Sequence, residues 1–282
     1  MASHFLITFG FSLLVFAMHV NGDPKDDVNF DQNYFPLWGA THLTRVDNDR
    51  GVQLLLDQSS GSGFRSKLDY GSGRFGIRMK LPYANTTGII ISFYLTSTPD
   101  GPNPPGNHDE IDFEFISATV LQTNVFAGDS GNREEKYTLW FDPRKDFHIY
   151  EFLWNPSIVV FYVDGVPVRV FKNNKYKGVN YISNPMHIEA SIWNAAWAGP
   201  VNWHESPFIS GYRRFGIDGC VSQSTSLNPQ CLAPNLPWNV QKELNPRELK
   251  MYWNFRKMHL VYDYCSDKGR HQSHTECFIP PV

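Results

Sequence analysis

The sequence predicts an all-β protein built as a sandwich of antiparallel strands. Between residues 29 and 217, short stretches rich in β-branched and aromatic side chains alternate with clusters of Gly, Pro, Asn and Asp, and no helical period runs through them. Many short strands divided by polar turns are typical of a two-sheet sandwich. The 282 residues suit one large domain of this class.

Three segments carry the clearest strand patterns. Residues 74–81 alternate between apolar and other side chains, which predicts a strand with one buried face. Residues 89–95 are almost continuously apolar or aromatic, the pattern of a strand covered on both faces. Residues 159–163 and 166–170 flank an Asp-Gly pair that favours a two-residue hairpin turn. The side chains on the apolar face of the first segment are Phe75, Ile77, Met79 and Leu81.

Residues 218–282 are predicted to form a C-terminal extension of the sandwich. Asn245 can cap a helix, Pro246 suits its first turn, and Glu248 stands three residues after the cap, where it completes a capping box. The sequence therefore predicts one helix here, packed as an appendage.

The N-terminus has the pattern of a secretory leader. Residues 5–18 form an apolar run that is too short to span a bilayer comfortably, and polar residues follow it. We predict a signal peptide at residues 1–22; an uncleaved anchor is the alternative, because only the α-amino group and His4 precede the run. No later segment approaches the ~18 apolar residues that a membrane span requires. We therefore expect a secreted protein with no membrane contact after the leader is removed.

All four cysteines lie in the C-terminal extension. A secretory leader places them in an oxidising compartment, which favours two disulfides. Three pairings are possible, and the sequential one, Cys220–Cys231 and Cys265–Cys277, closes the shortest loops. A zinc site is the alternative, but the chain has no Cys-x-x-Cys pair.

Charge and composition indicate an uncharged partner. The net charge of -3, from 25 basic and 28 acidic residues, is too small to recruit nucleic acid or an anionic membrane. Aromatic residues make up 15% of the chain, which fits a surface that stacks on sugars, although a β-rich core also favours them. We expect a monomer that uses no metal or organic cofactor.

The strongest functional signal is the segment HDEIDFEF at residues 108–115. Side chains alternate along a strand, so Glu110, Asp112 and Glu114 share one face while the apolar residues between them anchor the strand in the core. Three like charges on one face raise the free energy of ionising all of them, which indicates a functional use. A calcium site and a solvated acidic face are the alternatives.

Retaining glycoside hydrolysis would use this arrangement. It requires a carboxylate nucleophile and a second carboxyl group as acid/base, about 5–5.5 Å apart. Glu110 and Glu114 are ~13 Å apart at Cα on an ideal strand, so their side chains must lean inward across Asp112. Asp112 can hydrogen-bond the nucleophile, and its charge can help to keep Glu114 protonated. We expect His108 to support this group rather than to act as a base.

The acidic segment resembles the signature of plant xyloglucan endotransglucosylase/hydrolases, in glycoside hydrolase family 16. The resemblance implies a jelly roll of two curved antiparallel sheets at residues 23–217, with an open cleft across the concave sheet. It implies that Glu110 is the nucleophile, Glu114 the general acid/base and Asp112 the assisting residue. Further matches run in order through nearly the whole mature chain: FDQNY at 30–34, GSGF at 61–64, LQTNV at 121–125, LWFDP at 139–143, SIWN at 191–194 and VYDYC at 261–265.

The resemblance also implies residues that hold the glucan chain. Amides and guanidinium groups can hydrogen-bond sugar hydroxyls, and an indole ring can cover the apolar side of a pyranose. Arg270 lies in the extension, so its role requires the extension to fold back against the cleft. Besides Glu114, the implied residues are Gln122, Thr123, Asn124, Asn132, Arg133, Glu134, Ala196, Trp197, Gly199 and Arg270.

The chain differs from the family at the rim of the expected cleft. The longer loop with a glycosylation site that usually follows the acidic strand is absent, and the one acceptor sequon is at Asn85, in a predicted surface turn. Residues 195–203 form a shorter loop in which Ala196 replaces the usual acidic residue, and Pro36 changes the backbone on the expected donor side. A cleft altered in this way could admit unbranched chains such as cellulose or mixed-linkage glucan, as in the hetero-trans-β-glucanase type of this family.

The predicted function is a cell-wall transglucosylase. It would cleave a β-1,4-glucan donor and pass the glycosyl group to a xyloglucan acceptor. An endo-β-glucanase or xyloglucan hydrolase is one alternative. A noncatalytic jelly roll that binds wall polysaccharide is another, although three acids on one strand face would have no use in it.

Overall fold

The computed structural model describes residues 27–100, 105–223, 225–280 and 282. The leader predicted at residues 1–22 lies outside the described residues. In the described part of the chain, no helix has the length and apolar character needed to cross a membrane.

Fifteen β-strands and three α-helices occur within the described ranges. The strands are β1 (Asp27–Val28), β2 (Tyr34–Trp38), β3 (Leu43–Val46), β4 (Gly51–Leu56), β5 (Ser62–Lys80), β6 (Ile89–Thr96), β7 (His108–Ser117), β8 (Val120–Asp129), β9 (Glu135–Tyr137), β10 (His148–Trp154), β11 (Ile158–Val163), β12 (Val166–Lys172), β13 (Met186–Asn194), β14 (Phe208–Val221) and β15 (Leu260–Asp263). The α-helices are α1 (Phe30–Asn33), α2 (Pro246–His259) and α3 (Lys268–His271). Short 3₁₀ turns lie at Ala40–His42, Lys175–Lys177, Ala196–Ala198, Trp203–Glu205, Pro229–Leu232, Pro237–Asn239, Tyr264–Ser266 and Thr275–Phe278.

The strands form two layers that share one long strand. Residues 62–70 of β5 pair with β2 and β13, whereas residues 70–80 pair with β10 and β14, so β5 passes from one layer into the other. Sheet 1 has the order β2-β5-β13-β6-β7-β8-β9-β15, and sheet 2 has the order β12-β11-β10-β5-β14-β4-β3. The pairs in both sheets are antiparallel. This arrangement confirms the predicted two-sheet sandwich.

The core lies between the two sheets and is rich in aromatic rings. Phe113 of β7 contacts Phe152 and Phe161 of sheet 2 at ring-centroid distances of 4.8 and 5.3 Å. Its neighbours on the same face, Ile111 and Phe115, are also buried. Burying each such side chain stabilises the fold by ~1.5–3 kcal/mol. The register of β7 is therefore fixed, and its alternate side chains must point to the outer face of sheet 1.

The local strand predictions are confirmed. β11 and β12 form the expected hairpin, and Asp164 and Gly165 at its turn have φ angles of 46° and 73°, as a type I′ turn requires. Strand β6 is covered on both faces at its start, where Ile90 on its outer side is as fully buried as Ile91 on its inner side. The apolar face predicted within residues 74–81 is buried at all four positions, Phe75, Ile77, Met79 and Leu81.

Helix α2 begins where the capping signal predicts. The Asn245 side chain accepts the N–H of Glu248, and the Glu248 carboxylate accepts the N–H of Asn245. The helix covers the outer face of sheet 2, where Tyr252 packs in a second apolar cluster with Leu153 and Val160. This packing stabilises the helix, because sequence propensity alone contributes little to the stability of a helix in a protein.

The extension contains two internal disulfides and is joined to the sandwich by a strand. The structure contains the sequential disulfides Cys220–Cys231 and Cys265–Cys277. Strand β15 pairs with β9 through Asp263 and Glu135, and so becomes the last strand of sheet 1. The extension therefore supplies part of the sheet that carries the acids.

Candidate active site

Strand β7 presents the three predicted acids on the outer face of sheet 1, which we call the acid face. Residues in register across antiparallel strands point to the same face, so each acid lies in a row of side chains that crosses the strands. The Glu114 row is Gln122, Glu114, Ser92, Ser191, Gly63 and Trp38. The Asp112 row is Asn124, Asp112, Tyr94, Glu189, Arg65 and Phe35. The Glu110 row is Phe126, Glu110, Thr96, His187 and Asp69.

Glu114 has the environment of a general acid. Its Oε2 accepts a hydrogen bond of 2.8 Å from the Nε2 of Gln122 on β8. Burial raises the pKa of Glu114 and the charge of Glu110 adds to the rise, while the Gln122 N–H opposes it. The carboxyl group therefore keeps its proton to a higher pH than an ordinary glutamate, which is the form that protonates a leaving group.

Asp112 differs from the sequence expectation in its charge. It is 4% exposed, and burial together with the charges of Glu110 and Glu114 holds its pKa well above the ordinary value. Its Oδ1 has no hydrogen-bond partner among the described residues. Asp112 therefore favours the neutral form, which can donate a hydrogen bond to the nucleophile. The raised pKa of Glu114 comes from its burial and from the charge of Glu110.

Glu110 has a histidine beside it. The Nε2 of His108 lies 3.3 Å from Glu110 Oε2, and the imidazole stacks on Phe126 with ring centroids 4.6 Å apart. The hydrogen bond with Glu110 raises the pKa of His108, against the effect of burial. The histidine thus lies where it can orient the Glu110 carboxylate from the flank.

An open cavity of about 850 Å³ lies on the acid face beside Glu110. It extends from β7 across β6 and β13 to β2, and combines polar side chains with aromatic rings. The lining residues that bear on the chemistry are Phe35, Trp38, Tyr94, Glu110 and Glu189.

Gly63 of β5 and Gly61, which directly precedes that strand, allow Trp38 to lie flat on the sheet. A Cβ at Gly63 would stand 2.7 Å from the indole Nε1, and a Cβ at Gly61 would stand 2.9 Å from the ring. The indole is 37% exposed, so one side packs on backbone and the other faces the cavity. An aromatic face of this kind suits the apolar side of a pyranose.

Of the three consecutive residues predicted on β8, the middle one is on the wrong face. Gln122 lies on the acid face, but Thr123 pairs with Phe113 on the core side and is fully buried. The Thr123 hydroxyl accepts a hydrogen bond of 2.9 Å from Arg169. Strand alternation thus excludes Thr123 from the acid face and gives it a structural role.

Asn124 and Arg133 hold the turn that follows β8. The Asn124 Oδ1 accepts the N–H of Arg133 at 3.0 Å. The Arg133 guanidinium is buried and donates to both oxygens of Asp129, at 3.0 and 2.8 Å, and to Glu276 of the extension. These contacts occupy Arg133, so the structure does not support the predicted sugar contact. Asn132, at the same turn, is exposed with a φ of 64°.

Glu134 and Arg270 join the sandwich to the extension. The Arg270 guanidinium pairs with the Glu134 carboxylate, next to the β9–β15 edge of the acid face. The extension therefore folds back as the predicted role of Arg270 requires. Both side chains lie on the β8 side of the acids, opposite the cavity.

The loop after β13 lies beyond the Glu114 row. Trp197 is 65% exposed, and Ala196 and Trp197 belong to a 3₁₀ turn held by a hydrogen bond of 3.1 Å from the Gly88 N–H to Ala198. Gly199 has a φ of 111°, which favours glycine. The loop thus borders the acid face at the Glu114 end.

The predicted glycosylation sequon is on the surface. Asn85 is exposed, and its side-chain oxygen accepts the hydroxyl of Thr87 at 2.8 Å. The acceptor side chain is therefore accessible.

Two further polar residues on the acid face, Glu189 and His187, are not among those predicted from the sequence. The Nε2 of His187 lies 2.6 Å from Glu189 Oε1, and the hydroxyl of Tyr94 donates to Glu189 Oε2. A signal was present: polar residues alternate with Ile188, Ala190 and Ile192 along β13, which places both side chains on the acid face.

Asp100, His187 and Glu189 could contribute to a cation site. Their ligand atoms lie within 4.8 Å of one another. However, Arg65 donates to Asp100 at 2.5 Å, and Tyr94 donates to Glu189. Donors on the protein thus already provide the interactions that a cation would supply.

Comparison with known proteins identifies the family. A family model described as Glycosyl hydrolases family 16 matches residues 30–207, and one described as Xyloglucan endo-transglycosylase (XET) C-terminus matches residues 233–277. Xyloglucan endotransglucosylase/hydrolase protein 3 of Arabidopsis thaliana is 45% identical over 266 residues, which cover 89% of each chain. Protein 2 of the same plant is 42% identical over 272 residues, covering 92% of this chain and 91% of its own.

A solved structure shows the same fold. A prokaryotic β-1,3-1,4-glucanase (lichenase) derived from a mouse hindgut metagenome matches with a TM-score of 0.57 and 26% identity, over 68% of this chain and 96% of its own. The sandwich is thus a jelly roll, and the protein is a retaining enzyme that transfers or hydrolyses glycosyl groups. The chain belongs to the xyloglucan endotransglucosylase/hydrolases of glycosyl hydrolase family 16.

Proposed function

We propose that the protein is a cell-wall endo-transglucosylase that cleaves a β-1,4-glucan donor and transfers the glycosyl group to a xyloglucan acceptor. The observation that carries the proposal is the position of Glu110, Asp112 and Glu114 on one face of a strand whose other face is locked in the core.

Glu110 is the nucleophile in this mechanism. Its carboxylate attacks the anomeric carbon while protonated Glu114 donates its proton to the leaving glycosidic oxygen, and a covalent glycosyl-enzyme results. Glu114 then accepts the proton of the incoming acceptor hydroxyl, which attacks the anomeric carbon and releases Glu110. Neutral Asp112 donates a hydrogen bond to Glu110 and orients it between the two steps.

The two halves of the acid face suit different partners. The cavity between Glu110 and Trp38 provides aromatic surface for a donor chain, and we assign it to the donor. We assign the β8–β15 side to the acceptor, where Gln122, Glu134 and Arg270 offer polar groups. The donor would be xyloglucan or an unbranched glucan such as cellulose or mixed-linkage β-glucan.

The protein would work outside the cell. The resemblance to wall enzymes and the leader predicted at residues 1–22 support secretion to the cell wall. The exposed side chain of Asn85 supports glycosylation there. We propose that the enzyme acts as a monomer, which size-exclusion chromatography with light scattering would test.

The decisive experiment offers a labelled xyloglucan oligosaccharide as acceptor with xyloglucan, mixed-linkage glucan or cellulose as donor. We expect label to enter polymer. Glu110→Ala should lower transfer by about 10³-fold or more, because the covalent intermediate cannot form. New reducing ends without incorporated label would show a hydrolase instead, and retained activity in Glu110→Ala would refute the mechanism.

A further inference from the structure

Glu189 lies in the same cavity as the nucleophile. It stands on the Asp112 row, two strands from Asp112, with Tyr94 between them. Adjacent strands are ~4.8 Å apart, so this separation is roughly 10 Å. That distance is close to the length of two glucosyl units in an extended chain. A donor that crosses the strands from Glu110 therefore passes beside Glu189.

The Glu189 carboxylate is held rigidly. It is 6% exposed, and each of its oxygens already has one partner. The imidazole of His187 bonds Oε1 at 2.6 Å, and the Tyr94 hydroxyl donates to Oε2. A carboxylate oxygen accepts two hydrogen bonds, so both oxygens keep capacity for a donor in the cavity.

The surroundings define the chemistry of the group that would bind. An anion would be repelled by Glu110, Asp100 and Glu189, all of which line the cavity. The rings of Phe35 and Trp38 favour a pyranose face. The fitting ligand is a neutral sugar that directs a hydroxyl group at the carboxylate.

We propose that Glu189 accepts a hydrogen bond from a free C6 hydroxyl of the donor chain and so favours unbranched glucans over branched ones. The C2 hydroxyl is free in both donor classes, and the C3 hydroxyl is free in xyloglucan and in the β-1,4-linked stretches of the unbranched donors. The C6 oxygen carries xylose in the branched units of xyloglucan and then has no proton to donate. This inference rests on the proposed function, in which the cavity holds the donor.

The test measures donor preference in Glu189→Gln and Glu189→Ala. With one labelled xyloglucan oligosaccharide as acceptor, kcat/KM is determined for mixed-linkage glucan and for xyloglucan. We expect Glu189→Ala to lower the mixed-linkage value by about 10-fold to 100-fold, as for loss of a hydrogen bond to a charged group. The Gln variant, which keeps a neutral acceptor, should lose less. The xyloglucan value should stay within about threefold.

Asp69→Asn is the matched control. Asp69 lies 3.6 Å from His187 and belongs to the same charged cluster, but it does not line the cavity beside Glu110. In Asp69→Asn, the ratio of kcat/KM for mixed-linkage glucan to kcat/KM for xyloglucan should equal the wild-type ratio. A general loss of packing would lower both values together and leave their ratio unchanged.

The outcomes separate the inference from the proposed function. An unchanged donor ratio in Glu189→Gln and Glu189→Ala, or an equal loss with both donors, overturns the inference alone and assigns Glu189 to structure. If the wild-type enzyme transfers from xyloglucan but from no unbranched donor, the inference is overturned. The proposal that the enzyme also accepts unbranched donors is then overturned with it. Absence of transfer from every donor overturns the proposed function itself.

Discussion

Glu114 and Gln122 face each other across the β7–β8 pair, and this contact should set the alkaline limit of activity. The Gln122 N–H stabilises the charged carboxylate and so lowers the pKa of Glu114. Gln122→Leu removes that donor, and the pKa of Glu114 should rise further. Because the acid acts in its protonated form, the alkaline limb of the kcat/KM profile should move to higher pH, with about a tenfold loss at the optimum. A limb that stays in place or moves to lower pH would contradict this assignment.

Asp112 should destabilise the folded protein as the pH rises. Burial and the charges of Glu110 and Glu114 raise its pKa above that of the unfolded chain, so the folded state binds the proton more tightly. The stability it contributes is present below the ordinary aspartate pKa and is lost as the pH rises towards the folded pKa.

Asp112→Asn is neutral at every pH and has nearly the same shape. Its Tm relative to the wild type should therefore increase between pH 4 and pH 8, while transfer falls on the order of 10²-fold. Thermal unfolding across that range checks the first expectation. A Tm difference that does not depend on pH would show that Asp112 is ionised in the folded protein.

At the scale of single residues, the sequence predicts the features that follow from the alternation of side chains between the two faces of a strand. The shared face of Glu110, Asp112 and Glu114 follows from period two, and the same rule would have excluded Thr123. The charge of Asp112 could not be predicted, because it depends on burial by strands that are distant in sequence. The roles of Arg133 and Arg270 depend in the same way on where the extension docks.

Helix α2 offers a test at the scale of one element. Asn245→Ala removes the side-chain acceptor of the capping box and should cost about 1 kcal/mol of stability. Asn245→Asp keeps the acceptor and serves as the control. Chemical denaturation measures both, and equal stability of the Ala variant and the wild type would show that tertiary contacts alone hold the first turn.

Elements with local signals were predictable and elements without them were not. The hairpin turn at Asp164 and Gly165 and the cap at Asn245 depend on a few adjacent residues. Strand β15 (Leu260–Asp263) follows α2 directly and has no turn signal before it. Its strand conformation comes from pairing with the edge of β9, which is far away in the chain.

At the scale of the whole molecule, the order of strands was beyond local inference. Strand β5 spans Ser62–Lys80 and gives its two halves to different sheets. Which distant segments pair with each half is decided by packing of the complete core. The cavity beside Glu110 is a consequence of that order, because it places β2 and β13 in the same sheet as β7. Glu189 was therefore missed although its strand was visible in the pattern.

A fragment of residues 23–217 should not fold by itself. The cut falls inside β14 and removes residues 218–221, which pair with β5. It also exposes the β9 edge, takes Arg256 away from the buried Glu135, and uncovers the apolar face of sheet 2 on which Tyr252 packs. Removing one partner of a buried ion pair costs ~3–5 kcal/mol, a large part of the stability of a typical domain.

We expect the fragment to be insoluble or to lack a cooperative unfolding transition. The full chain with Cys265→Ser and Cys277→Ser, which keeps every strand and α2, is the control and should remain folded and active. Circular dichroism with thermal unfolding compares the two. A soluble, cooperatively unfolding fragment would show that residues 218–282 are a separate attachment. Failure of the fragment beside a folded control would show that the extension completes the jelly roll.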